Sequence, residues 1–385
     1  MGLRATMIRE LRRLASRPIY LLTMVAVPIV CALFFVSLLD NGLPTKVPTA
    51  VVDNDNSALS RQMIRNLDAT ELISINSYYE NYHEALEAVK RGEIYGFFVV
   101  TDEFEKNAIA GNSPTLTYYC NMAYFIPGTL SFKGFKTIAV STTGSMATMQ
   151  LVSSGMDRDA IGALIQPLAV QDHPMGNPWS SYSIYLCNSF APGVLALMIM
   201  LVTVYSICDE IKRGTSIEWL ELSRGSMIVA LLGKMFPHTI IFSIVGVFIQ
   251  SLLFGYNHFP MNCPAWVMIV AMVMFVVACQ AFALFVSSVL PNLRLALSVV
   301  SLLGVLSFSI TGFSFPLENM YGAVAIFSNI VPVRYYFLIY IDQALNGIDL
   351  YYSRWYFVAL TIFPLVAATM LWRLKIACKK PIYVP

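Results

Sequence analysis

The chain has 385 residues, of which 57% are hydrophobic and only 12% charged, with a formal net charge of +2 and a mean hydropathy of +0.64. Soluble domains carry about 25% charged residues, so this composition excludes a disordered chain, a disulfide-stapled secreted module and an ordinary soluble enzyme. The near-neutral balance gives no electrostatic basis for a nucleic-acid partner, and the seven scattered cysteines, without a CxxC pair, argue against a disulfide framework or a zinc site.

What remains is a polytopic α-helical membrane protein. Residues 1–18 form an amphipathic helix: Leu3, Met7, Leu11 and Leu14 fall at helical spacing, and Arg4, Arg9, Arg12, Arg13 and Arg17 lie mostly off that stripe. Such a helix either rests in the lipid interface, its cations on lipid phosphates, or simply anchors the first span. Ile19–Leu39 is that span, since about 20 apolar residues cross the bilayer core. No second span follows for over a hundred residues. The interval from Asp40 to Tyr185 holds 15 acidic and 9 basic residues, and it reads as an inserted α+β domain.

Within it, strands are expected at Thr49–Asp53, Leu72–Ile75, Tyr95–Val100 and Thr115–Cys120. Helices are expected from Ser57 as N-cap to Leu67, over Glu84–Arg91 with Gly92 as stop, from Asp102 as cap to Ala110, over the charge-poor Lys133–Ser153, and over Asp159–Ile165. The alternation suggests a mixed sheet with helices on one side. Asp53, Asp55 and Ser57 could hold a cation, but an Asx-turn opening the helix is the better reading.

Further spans follow at Leu186–Cys208, Ile228–Phe254, Ala265–Leu290, Leu295–Phe315 and Trp355–Trp372, six in all, with a loop at 209–227 and a tail at 373–385. Tyr321–Ile341, within residues 316–347, is apolar too, but Pro332 and Arg334 interrupt it, and a seventh span would carry the cationic tail to the wrong side. A re-entrant helical pair fits better. Lys and Arg cluster before the first span, in the 209–227 loop, at Arg294 and in the tail, so both termini are expected in the cytoplasm and the inserted domain outside.

The missing chemistry narrows the function. There is no GxxxxGK[ST] and no HExxH, and the four histidines are far apart. Asp and Glu are absent from the middle of every span, which disfavours an ion-driven carrier. His238 is the nearest thing to a membrane-embedded catalytic group, with helix packing as its simpler role. Asn188, Gln250 and Gln280 are polar groups suited to interhelical hydrogen bonds. Phe308, Phe313 and Phe315 either line an exit gate or pack, and Asn188 and Arg334 join them as candidate translocation-path residues. Arg334 at re-entrant depth needs water, a headgroup or a carboxylate such as Asp342.

One loop carries the strongest signal. In CDEIKRGTSIEWLELSRGSMIVALLGK, from Cys208 to Lys234, a short helix with Trp219 and Leu220 in water is either a docking knob for a partner or a helix resting on headgroups. This text resembles the loop of type-two ABC export permeases, the ABC-2 family, where a pattern close to E-x-x-x-G-T-x-E-x-L-x-x-[ST]-P precedes a Gly-Lys. Here it stands as Glu210, Gly214, Thr215, Glu218 (one position late), Leu220, Leu222, Ser223 and Gly233-Lys234, with Lys212 and Arg213 before the Gly-Thr and Arg224 where the pattern has Pro. The inserted domain and residues 312–347 are similar to the family's long-ectodomain subgroup. The resemblance implies a coupling helix carrying Glu218, Trp219 and Leu220 into an ABC ATPase subunit that holds ATP and Mg, so that this chain needs no cofactor. It further implies a second permease copy or paralogue and an inner-membrane efflux role, with room for a periplasmic adaptor and outer-membrane channel. An intramembrane enzyme and a receptor or assembly scaffold are the other classes.

Overall fold

The computed structural model describes residues 2–40, 42–165, 176–178, 181–312 and 315–381. Two compact units emerge, Met1–Gly42 with Pro174–Pro385, and Leu43–His173. The inserted domain of the sequence is thus a separate body.

The first unit is helical. It comprises α1 (Gly2–Ser16) and α2 (Pro18–Leu38), then α8 (Tyr182–Lys212), α9 (Ser216–Leu222), α10 (Met227–Tyr256), α11 (Ala265–Val289) and α12 (Leu293–Ile310). It closes with α13 (Gly322–Ser328), α14 (Pro332–Leu345), α15 (Leu350–Thr369) and α16 (Leu371–Lys379). Among the described residues five helices are long and apolar enough to span a membrane: α2, α8, α10, α11 and α12. The pairs α13–α14, bent by 79°, and α15–α16, bent by 41°, are each a broken span or a re-entrant loop, so by length and composition the described residues hold five to seven candidate spans, a range that includes the six expected.

The bends have local causes. Pro332 opens α14, where its missing N–H costs nothing, and Val331 before it is extended. The segment expected as Leu295–Phe315 ends at Ile310, and the helix expected at Trp355 begins at Leu350, where Asp349 caps it through the Tyr351 N–H at 2.7 Å. The helix expected as Leu186–Cys208 runs on to Lys212, which keeps Asp209 and Glu210 helical. Packing centres on α8, whose inner face includes Leu195, Ile199 and Val204, all fully buried. Gly304 lets α12 approach it: a Cβ there would stand 2.6 Å from Leu197 Cδ1.

The second unit holds β1 (Val47–Asp53), α3 (Ala58–Asp68), β2 (Ile73–Tyr78), α4 (Tyr82–Arg91), β3 (Gly96–Val100), α5 (Phe104–Ile109), β4 (Leu116–Cys120), α6 (Phe125–Ser153) and α7 (Arg158–Ile165). The sheet order is β2-β1-β3-β4, with β4 antiparallel and the rest parallel. Alternation along the strands builds two cores. Val51, Phe98 and Val100 pack with Met63, Leu67 and Phe135 on one face. Ala50, Val52 and Phe97 pack with Ala85 and Ala88 on the other. Helices therefore cover both faces, not one as expected, because β1 and β3 are apolar at every core position and leave no face for water.

The caps explain the acidic opening motif. Ser57 accepts from the Ser60 N–H at 3.0 Å, Asn81 from that of Glu84 at 3.0 Å, and Gly92 ends α4 at φ +76°. Asp53 accepts from the N–H groups of Asp55 and Asn56 and from the Ser60 hydroxyl. Asp102 does not cap α5. Asp55 does so from across the sheet, accepting from Phe104 N at 2.9 Å and Glu105 N at 3.1 Å. These carboxylates are committed to N–H and O–H donors, as an Asx-turn requires and a cation site does not.

Replacing Asp55→Ala strips α5 of both acceptors. Caps of this kind contribute about 1 kcal/mol, so hydrogen exchange at the Phe104 and Glu105 amides should quicken roughly fivefold in the full-length protein. Unchanged exchange would refute the distant cap.

Candidate functional site

Of the residues singled out in the 209–234 segment, Glu210, Arg213, Thr215 and Lys234 meet at a charge cluster whose centre is buried. α1 brings Arg9, Glu10 and Arg13, and Arg17 follows it. The end of α8 brings Asp209 and Glu210, and α10 brings Lys234 and His238. Glu10, Glu210, Lys234 and His238 are each at most 1% exposed. An ion taken so far from water must be paired and hydrogen-bonded, and each one is.

Glu210 accepts from Arg9 through two bonds of 2.7 and 3.0 Å, from Arg13, from Lys234 at 3.0 Å and from the Thr215 hydroxyl. Asp209 accepts from Arg13 at 2.6 Å, Arg17 at 2.8 Å and Arg213 at 2.8 Å. Glu10 accepts from Lys234 at 2.7 Å and lies 3.0 Å from His238 Nε2. Burial pushes the Glu10 carboxyl up, but Lys234 and His238 more than offset this and hold it at about 2. The hydrogen bonds to Glu210 and Asp209 raise Arg9 and Arg17 above the ordinary guanidinium value.

Gly233 makes the cluster possible. A Cβ there would fall 1.9 Å from Thr6 Oγ1, so only glycine admits α1 this close to α10. The Gly-Lys of the sequence pattern is thereby explained: the glycine seats α1, and the lysine beside it reaches both glutamates.

These contacts correct the expectation for α1. Leu3, Ile8 and Leu11 are exposed, while Thr6 and Glu10 are buried, so the helix turns its polar stripe inward and its apolar stripe outward. Arg9, Arg13 and Arg17 reach carboxylates, not lipid phosphates, whereas Arg4 and Arg12 stay exposed. His238, the candidate catalytic group, is a partner of Glu10.

Trp219 and Leu220 are not an exposed knob either. Trp219 is 1% and Leu220 5% exposed. They pack with Ile207, Met227, Leu231, Leu374 and Cys378. The indole donates to Ala230 O at 3.2 Å, and Lys234 Nζ sits 4.9 Å from its ring centre. Ser216 donates to Cys378 O at 2.8 Å, which ties α9 to α16. The surface of α9 is instead Ile217, Glu218, Glu221 and Leu222, flanked by exposed Lys212, Arg213, Gly214 and Arg224. Arg224 and Gly225 stop α9 at φ +57° and +74°. Proline cannot adopt that φ, so the departure from the family pattern at Arg224 goes with a different helix stop.

The candidate path residues are less united. Phe308 stacks on Phe190 with centroids 4.1 Å apart, and Phe190 stacks on Phe35 at 4.7 Å, an aromatic ladder across α12, α8 and α2. Asn188 is buried and bonds back to Ile184 O at 3.0 Å. Arg334 donates to Thr311 O at 2.8 Å, not to Asp342, which accepts from Ser353 at 3.1 Å. Phe315 is exposed, and Phe313 lies outside the described residues.

Glu10 and the tail residue Cys378 lie outside the segment that the sequence pattern marks, and Asp209 and Lys234 carry no role in that pattern as read from sequence. The available signal was charge position: Glu10 is the single acid in a basic helix, and Lys234 is a cation inside an apolar run.

Two outcomes are expected. Gly233→Leu should unseat α1, so that trypsin cleaves at Arg9 or Arg13, sites shielded in the native protein; equal protection in both would refute the docking. The Glu10 contribution is complete above about pH 4.5 and fades as pH falls toward 2, so thermolysin should find α1 equally protected at about pH 5.5 and about pH 8. Release of α1 at the lower pH would refute the pairing.

Comparison with known proteins bears on the family of the chain. A family model described as ABC-2 family transporter protein matches residues 18–373. The linearmycin resistance permease protein LnrN of Bacillus subtilis (strain 168) is 32% identical over 111 residues, which cover 28% of each chain. The match spans well under two thirds of that relative. With a family match over nearly its whole length and several apolar helices of spanning length, the chain belongs to the ABC-2 transporter family as a multi-pass transmembrane subunit.

Proposed function

We propose that this chain is the permease subunit of an ATP-driven ABC exporter, moving amphipathic or drug-like compounds out across the cell's inner membrane. A separate ABC ATPase would bind ATP and Mg and dock on α9. The observation that carries the reading is the two-sided character of that helix. Its inner face is locked by Trp219, Leu220 and Ser216, and its outer face offers Ile217, Glu218, Glu221 and Leu222 to a partner.

A push on α9 has a defined route. Trp219 bears on α10, Ser216 on α16, and Glu210 is bound to α1 and α10. The cluster makes α1, α10 and the end of α8 move together, because separating any of them strands a buried charge. α8 packs closely on α12 at Gly304 and through Phe190 and Phe308. Tilting α8 therefore reshapes the contact among α2, α8 and α12, the face on which a second permease copy or paralogue would complete the pathway. The Lys and Arg placement supports cytoplasmic termini and an outer position for the inserted domain, which could then meet a periplasmic adaptor. The resistance function in the name of the Bacillus relative favours a toxic amphipathic cargo.

Ile217→Asp combined with Leu222→Asp should leave the fold intact, since both side chains are exposed. Mg-ATP hydrolysis that co-purifies with the tagged permease should fall roughly tenfold, as a loss of about 1.4 kcal/mol of docking energy requires. Unchanged co-purification would sink the docking assignment.

A further inference from the structure

The export reading uses nothing of a cavity beside α6 in the inserted unit. It has a volume of about 330 Å³, within the roughly 300–1,000 Å³ of small-molecule sites. Its floor is the domain core, formed by Met63 and Phe104, which are 2% and 4% exposed, with Leu116. Its rim brings Asn112, Ser113 and Thr143, neutral groups able to donate and accept hydrogen bonds. Among the described residues no ionisable side chain lines it.

A second observation comes from the helix that forms its wall. Thr137–Met156 contains no Asp, Glu, Lys, Arg or His, where a soluble domain's usual charge content would place about five in such a stretch. The helix is not thereby withdrawn from the surface: Val140 is 65% exposed. A charged group beside a cavity holds water in it and must be desolvated when a neutral guest enters. Leaving charge out of this wall removes that cost.

We propose that the cavity binds an uncharged amphipathic small molecule. Its hydrocarbon body would lie on Met63, Phe104 and Leu116, and its hydroxyl or carbonyl would meet Asn112, Ser113 and Thr143. A carboxylate, phosphate or ammonium finds no counter-charge there. This site is independent of the ATPase, so its failure would leave the export reading untouched.

The test photolabels the full-length protein in lipid nanodiscs with a medium-chain alkyl-diazirine alcohol and maps adducts by peptide mass spectrometry. Saturable adducts are expected on peptides carrying Met63, Leu116 and Thr143. Carboxylate and quaternary ammonium analogues should label roughly tenfold less. Ala147→Trp fills the cavity and should abolish the adducts. Thr143→Asp, at an exposed position that folding does not need, sets an anion on the rim and should lower labelling by the neutral probe about tenfold. Adducts confined to the spanning helices, adducts that do not saturate, adducts indifferent to both variants, or equal labelling by the charged analogues would each overturn the proposal.

Discussion

A carboxylate removed from water must be compensated within the protein, and Glu210 shows how far that constraint reaches. Four side chains from three segments converge on it: Arg9 and Arg13 from α1, Lys234 from α10 and Thr215 from the turn before α9. Buried ion pairs contribute little net stability against well-packed apolar residues, but breaking one leaves an uncompensated charge and costs several kcal/mol. The cluster therefore acts less as an adhesive than as a register. It permits one arrangement of α1, α8 and α10 and penalises every arrangement in which they part.

The same constraint inverts α1. A helix on a soluble protein buries its apolar stripe; α1 buries Thr6 and Glu10 and exposes Leu3, Ile8 and Leu11. The inward face is polar because what it meets, Lys234 and His238 of α10, is polar. Gly233 is the geometric condition for it, because the polar stripe can satisfy Lys234 and His238 only at close approach.

The inserted domain solves a different problem by ordinary means. Its sheet is covered on both faces, its helices are capped by Ser57, Asn81 and Asp55, and its opening carboxylates are committed to backbone N–H groups. What does not follow from stability is α6, a helix with a long uncharged stretch beside an apolar-floored cavity. Soluble folding alone favours charge on such a surface, so the departure is where a ligand is best sought.

Much of this was legible in the sequence. Long apolar runs located five helices of spanning length, because the bilayer leaves no alternative to a helix of that length. Strand patterns and cap residues located most elements of the inserted domain, since those signals are local: Ser57 and Gly92 act within four residues of themselves. The order of motifs around Gly214-Thr215 and Gly233-Lys234 pointed to the family. Tertiary structure alone decided the partners. Arg9 and Glu210 lie 201 residues apart in sequence, and Asp55 caps a helix 49 residues away. Whether Trp219 faces solvent or Cys378, and whether an arginine reaches lipid or a carboxylate, depends on which surfaces the fold brings together. A single sequence records that a charge must be compensated; only the packed structure chooses what compensates it.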